Sequence, residues 1–157
     1  MEILGKTPIN PLMFATGKTS GYLTWIFLVL SLLGLNIFQV HSNPTLKTIA
    51  LIILTIGVLL LILSSIYLGK SVRIGLPNTK TVLKQSGIYK YSRNPMYLGF
   101  NLVTLASMIY YSNWIVIALG LFSMITYHLI ILGEEKFLTA RFGEQYLIYK
   151  RDVHRYL

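Results

Sequence analysis

Two short stretches hold most of the side chains in this sequence that could do chemistry. The first, SGIYKYSRNPMYLGF at residues 86–100, gathers Tyr89, Tyr91 and Tyr97 with Lys90, Arg93, an Asn94-Pro95 step and Gly87 and Gly99. The second, EEKFLTARFGEQYLIYKR at 134–151, opens on adjacent carboxylates, Glu134 and Glu135, and carries Tyr146 and Tyr149. Asn followed by Pro is a good helix start, with Asn as N-cap and Pro at the first helical position. The first-turn amides of such a helix form an anion site, here with Arg93 beside them. Gly99, one turn in, lets a backbone or a ligand approach closely. Two neighbouring carboxylates suit a cation, and tyrosine faces suit a sulfonium or quaternary ammonium. Together the two stretches fit a zwitterionic ligand with an extra positive centre. S-adenosylmethionine is one such ligand, and a choline or ethanolamine head group answers the same description. The structural alternatives are an interfacial belt of Arg93, Tyr91 and Tyr97, and an ion pair of the glutamates with Arg141 or Arg93.

Composition narrows the setting. The 157 residues are 54% hydrophobic and only 12% charged, with a mean hydropathy of +0.62, values foreign to a soluble domain. One integral membrane domain over residues 1–157 is expected. The absence of cysteine excludes disulfides, thiolate metal sites and a cysteine nucleophile. His41, His128 and His154 show no ligand spacing, so no metal is expected; His128 reads as a satisfied polar group inside the bundle. The formal charge of +9 sits at the ends of apolar runs, as an inner membrane face selects, so nucleic acid is not an expected partner. No cleaved signal peptide is expected.

The elements that must position these groups are helices. Residues 21–40 and 46–68 are long enough to cross a bilayer, and the polar HSNPT between them suggests an antiparallel hairpin. Residues 96–111 and a run starting at Trp114 make a second hairpin around Ser112-Asn113. The last helix should continue to Phe142, capped by Gly143, about 43 Å at roughly 1.5 Å per residue, leaving its final turns in the cytoplasm. The expected fold is therefore all-α, with about four transmembrane helices in two hairpins. Residues 1–19 form an N-terminal interfacial segment, 20–69 the first hairpin and 70–157 the binding and catalytic half. Thirteen of the fourteen lysines and arginines fall on one side, Lys47 being the exception. Both termini and the middle loop are thus expected in the cytoplasm, in a prokaryotic inner membrane, with both chemical stretches on the same face.

With these residues in view, SGIYKYSRNPMYLGF resembles the S-G-x-Y-x-x-x-R-(H/N)-P-x-Y-x-G motif of the isoprenylcysteine carboxyl methyltransferase and phospholipid N-methyltransferase superfamily. EEKFLTARFGEQYLIYKRDV is similar to its second motif, a Glu pair and then F-G-x-x-Y-x-x-Y. The resemblance covers about half of the chain, from Thr79 to Arg155. It implies a membrane methyltransferase using S-adenosylmethionine from the cytoplasmic side, on a lipophilic or small acceptor: an isoprenylcysteine-type carboxylate, a phospholipid amine or a thiol. By the same resemblance Thr81, Leu83, Lys84, Tyr89, Asn94, Pro95, Tyr97 and Glu134 would line the cofactor, and Arg93 and Glu135 would be catalytic. Prenylcysteine enzymes usually carry His where Asn94 stands and Arg where Ile130 stands, which keeps the other acceptors open. Two rival readings are an NADPH-dependent sterol or steroid reductase and a non-enzymatic lipid-binding membrane protein.

Overall fold

A computed structural model describes residues 7–69 and 82–157, and those residues fold as helices without strands. The helices are α1 (Pro11–Leu32), α2 (Pro44–Leu68), α3 (Pro95–Tyr111), α4 (Trp114–Phe142) and α5 (Glu144–Asp152), with a 3-10 turn at Gly87–Lys90 before α3. α2 and α4 are long and apolar enough to cross a membrane.

Three of the five helices begin at the same dipeptide, Asn-Pro. At Asn10-Pro11 the Asn side chain accepts from the amides of Leu12 and Met13 at 2.9 and 3.3 Å. At Asn43-Pro44 it accepts from Leu46 at 2.9 Å. These are ordinary N-caps, worth about 1 kcal/mol each. They also move two boundaries. α1 starts ten residues before the expected 21 and ends at Leu32 rather than 40, because a capped Asn-Pro outweighs the mixed composition of residues 11–20. Much of the supposed interfacial segment is therefore helix.

The first two helices do not pack as the expected hairpin. α2 lies against α3, and the main partner of α1 is α4. Small residues set both seams. A Cβ on Gly99 would come within 2.9 Å of the Leu61 side chain and 3.0 Å of the Gly57 carbonyl, so α3 meets α2 backbone to backbone. Gly17 and Gly21 of α1 likewise sit directly on Thr126 and Ser123 of α4. Where lipid is as apolar as leucine, such close approach and interhelical hydrogen bonds hold helices together. Ser20 donates to the Leu119 carbonyl at 2.7 Å and Trp25 Nε1 to Thr104 Oγ1 at 2.9 Å. The second hairpin is as expected. Ser112 turns through a left-handed conformation (φ 46°) and Asn113 caps α4 by accepting from Ile115 at 3.0 Å.

α4 ends at Gly143, whose amide bonds the Thr139 carbonyl at 3.0 Å. α5 follows at once, a helix not anticipated from the sequence. Glu144 in its first turn and Lys150 and Arg151 in its last complement the helix dipole.

Candidate active site

α4 places the two glutamates in different environments, and α5 turns the chain back so that residues 153–156 run past the start of α3. Glu135 is buried and each of its oxygens is held by an arginine. Arg93 donates from Nε and Nη2 to Oε1 at 3.1 and 2.7 Å. Arg155 donates from Nε and Nη2 to Oε2 at 3.2 and 2.8 Å. One carboxylate between two guanidiniums leaves the cluster with a formal charge of +1. Arg93 does more. Its Nη1 reaches the carbonyls of Lys150, at 3.0 Å, and of Val153, and its amide bonds the His154 carbonyl at 3.0 Å.

Asn94 departs from the other two Asn-Pro starts. Its side chain makes no cap; instead Nδ2 donates to the Arg155 carbonyl at 3.1 Å. Ser92 Oγ donates to the same carbonyl at 3.4 Å and accepts from the Asn94 amide at 3.2 Å. The expected N-cap role of Asn94 is thus corrected: the residue stands at the cap position, but its amide has been diverted to hold the C-terminal segment. The amides opening α3 are consequently left without a side-chain cap, which keeps them available to another acceptor.

Glu134 is bound differently. Tyr97 donates its hydroxyl to Oε1 at 2.6 Å, and Lys18 of α1 lies close enough to Glu134 to interact with it electrostatically. Behind Tyr97 the rings of Phe100 and Tyr127 pack at centroid distances of 6.1 and 5.8 Å. Phe100 stacks on Tyr127 at 5.6 Å and on Trp25 at 5.3 Å, and Trp25 meets Tyr22 at 5.2 Å. A continuous aromatic wall therefore runs from Glu134 to the outer face of α1.

On the other side Tyr89, Tyr146 and Tyr149 are buried, and Tyr149 donates to the Tyr89 carbonyl at 2.6 Å. Burial, assisted by the charge of Glu134, pushes the Tyr89 hydroxyl up to about 12. Burial and then the charge of Glu135 push Tyr146 up to about 12, and burial raises Tyr149 further. All three are neutral hydroxyls at physiological pH. Tyr91 does not join them: it is 75% exposed, so of the five tyrosines in the two stretches it alone stands out in the open. Leu83 and Lys84 are half-buried in the segment before the 3-10 turn, and Thr81 lies outside the described residues. His128 accepts or donates at Nδ1 with the Tyr156 hydroxyl at 2.7 Å, the satisfied polar group expected.

Sequence reasoning missed Arg155 and Lys18. Arg155 stands beyond the second tyrosine motif, where no spacing rule reaches it. Lys18 was legible as the lone cation of α1, but placing the helix start at 21 left it outside.

A sequence model of the phospholipid methyltransferase family matches residues 45–145. The matched region takes in α2, α3 and α4, and with them the Tyr97–Glu134 and Arg93–Glu135 pairs. No curated protein matches the chain. Nearly two thirds of the chain is covered, with both of those pairs: the chain belongs to the phospholipid methyltransferase family, membrane enzymes of the methyltransferase type.

Proposed function

We propose that this protein is an S-adenosylmethionine-dependent methyltransferase whose acceptor is a lipophilic molecule, first among them a phospholipid amine, met at the cytoplasmic face of a prokaryotic plasma membrane. The observation that carries the reading is the start of α3. Its uncapped amides follow directly on Arg93, part of a cluster of formal charge +1, and the same first turn carries Tyr97, which binds the carboxylate of Glu134. A ligand with a carboxylate and, a few bonds away, a separate cationic centre meets opposite charge at each. S-adenosylmethionine has that form, with its methionine carboxylate a short methylene chain away from the sulfonium that carries the transferable methyl.

In this reading the α3 amides and Arg93–Glu135–Arg155 take the cofactor carboxylate, and Glu134 with Tyr97 takes its sulfonium. Tyr89, Asn94 and Pro95 are kept as wall residues, and so are Leu83 and Lys84. Arg93 and Glu135, expected to be catalytic, are assigned a positioning role, because both oxygens of Glu135 already accept from guanidiniums. A carboxylate acceptor needs no base. An ammonium acceptor must shed a proton before its lone pair can attack, and Glu134 is then the carboxylate with capacity left to receive it. Alignment and exclusion of water are the main work of such a site. Four membrane-crossing helices, read from the apolar runs, with both termini inside, read from the cation asymmetry, would set this chemistry at the inner interface.

Calorimetric titration of the purified protein with S-adenosylmethionine, S-adenosylhomocysteine and NADPH tests the proposal. Binding of the first two and not the third is expected. Binding of NADPH alone would favour a reductase, and binding of none a non-enzymatic role.

A further inference from the structure

α1 lies outside the segment that matches the family, yet it contributes one wall of the site. Lys18 is the only charged residue of α1, and an ionisable side chain in a helix packed within a membrane bundle is costly unless it has a task. It is half-buried, with its ammonium 4.2 Å over the ring of Phe14, which belongs to the cluster that also packs Tyr97, the partner of Glu134. Tyr22, Trp25, Ile26, Val29 and Leu30 follow it at intervals of four, seven, eight, eleven and twelve residues, which places them on the same helical stripe. These five side chains line a shallow apolar groove of about 280 Å³. From Lys18 to Leu30 the stripe is about 18 Å long at roughly 1.5 Å per residue. It is cationic at one end, aromatic next and aliphatic beyond, and Trp25 joins it through Phe100 to the Tyr97–Glu134 pair.

We propose that this face of α1 is the acceptor subsite for a membrane phospholipid, with Lys18 holding the phosphate and the Tyr22–Leu30 groove holding one acyl chain. The proposal rests on the methyltransferase reading only for the word acceptor. A phosphate at Lys18 sets the head-group amine near the Tyr97–Glu134 pair, because the Phe14 ring under the ammonium packs in the same cluster as Tyr97. The groove leads the chain away along the helix axis. A chain without a phosphate would find the same apolar lining but no charge at its head.

Trp25 reports on the groove directly. The protein has two tryptophans, so Trp114→Phe leaves Trp25 as the sole fluorophore. That variant, in neutral maltoside micelles, is titrated with phosphatidylethanolamine bearing dibrominated chains and, separately, with diacylglycerol bearing the same chains. Saturable quenching is expected, with the phospholipid half-saturating at a mole fraction at least about fivefold lower than the diacylglycerol. Lys18→Gln should abolish that difference and Lys18→Arg should keep it, which separates charge recognition from misfolding. Equal, non-saturating quenching by both lipids, or a preference that survives Lys18→Gln, overturns the subsite. The readout needs no methyl donor. A protein that binds the brominated phospholipid as described but no S-adenosylmethionine would refute the methyltransferase reading and leave the subsite standing.

Discussion

Replacing Arg93 by lysine keeps the charge and removes the fork, and the structure says what that removes. Arg93 donates two bonds to Glu135 at 3.1 and 2.7 Å, one to the Lys150 carbonyl at 3.0 Å and one to the Val153 carbonyl. Its side chain is 6% exposed. A lysine ammonium has three protons on one nitrogen and cannot span a carboxylate and two carbonyls that arginine reaches from opposite edges of its plane. If the ion pair survives, about two charge-assisted bonds are lost, each worth roughly 1.5–3 kcal/mol, and the orphaned carbonyls recover part of that through water. A net loss of about 3 kcal/mol follows. In a chain of this size that lowers Tm by roughly 6–12 °C at about 2–4 °C per kcal/mol. Arg155→Lys is the internal comparison. Its side chain is 31% exposed, so solvent screening limits the loss to about 1 kcal/mol. Thermal unfolding in detergent, followed by tryptophan fluorescence, gives both stabilities, and transfer of a labelled methyl group gives turnover. Arg93→Lys should also lower turnover by about 10- to 100-fold, because displacement of the site by an ångström is costly to alignment. If Arg93→Lys melts with wild type, or Arg155→Lys is the more damaging change, the clamp is not what holds the C-terminal segment in place.

The remaining expectations are narrower. Asn→Asp should be tolerated at Asn10 and Asn43, where an oxygen accepts from helix amides, and should destabilise by about 1 kcal/mol at Asn94, where Nδ2 donates; Tm of the three variants decides. Gly99→Ala puts a Cβ 3.0 Å from the Gly57 carbonyl and should cost about 1–3 kcal/mol by prising α3 from α2, with unchanged stability the opposing result. Tyr89 and Tyr146 are pushed up to about 12 in the folded protein against about 10 unfolded. Their contribution to stability is therefore complete below pH 10 and is lost as pH rises from 10 toward 12, and tyrosinate absorbance below pH 10 from these residues would contradict it. Reporter fusions at residues 45 and 157 should fall on opposite sides of the membrane; agreement between them would end the four-span topology.

What the sequence made legible was whatever a local rule governs. Hydropathy found α2 and α4, and residue by residue the span of α4 agrees because Asn113 and Gly143 both cap it. The two motifs marked Arg93, Tyr97, Glu134 and Glu135, and the structure brings all four together. Pairings that depend on three dimensions were out of reach. The same Asn-Pro step caps a helix at positions 10 and 43 and refuses to at 94, because only there does a returning C-terminal carbonyl compete for the amide. The partner choice of α1 was hidden for a similar reason: Gly17 and Gly21 matter only once Thr126 and Ser123 are known to face them. Arg155 completes the clamp from a segment with no periodicity, so nothing short of the fold could assign it to Glu135.

The central claim, that a methyl group passes from S-adenosylmethionine to a membrane lipid at Glu134, is tested most directly by a single measurement. Purified protein is incubated with methyl-labelled S-adenosylmethionine and phosphatidylethanolamine, and label is counted in the extracted lipid for wild type and for Glu134→Gln, with Tm recorded for both. The account predicts label in the lipid with wild type and at least about a 30-fold lower rate with the variant. Losing the charged hydrogen bond partner of the ligand costs roughly 2–3 kcal/mol, while the amide can still accept from Tyr97 and hold the fold. No label from wild type, or equal rates from the two proteins at equal stability, would contradict it.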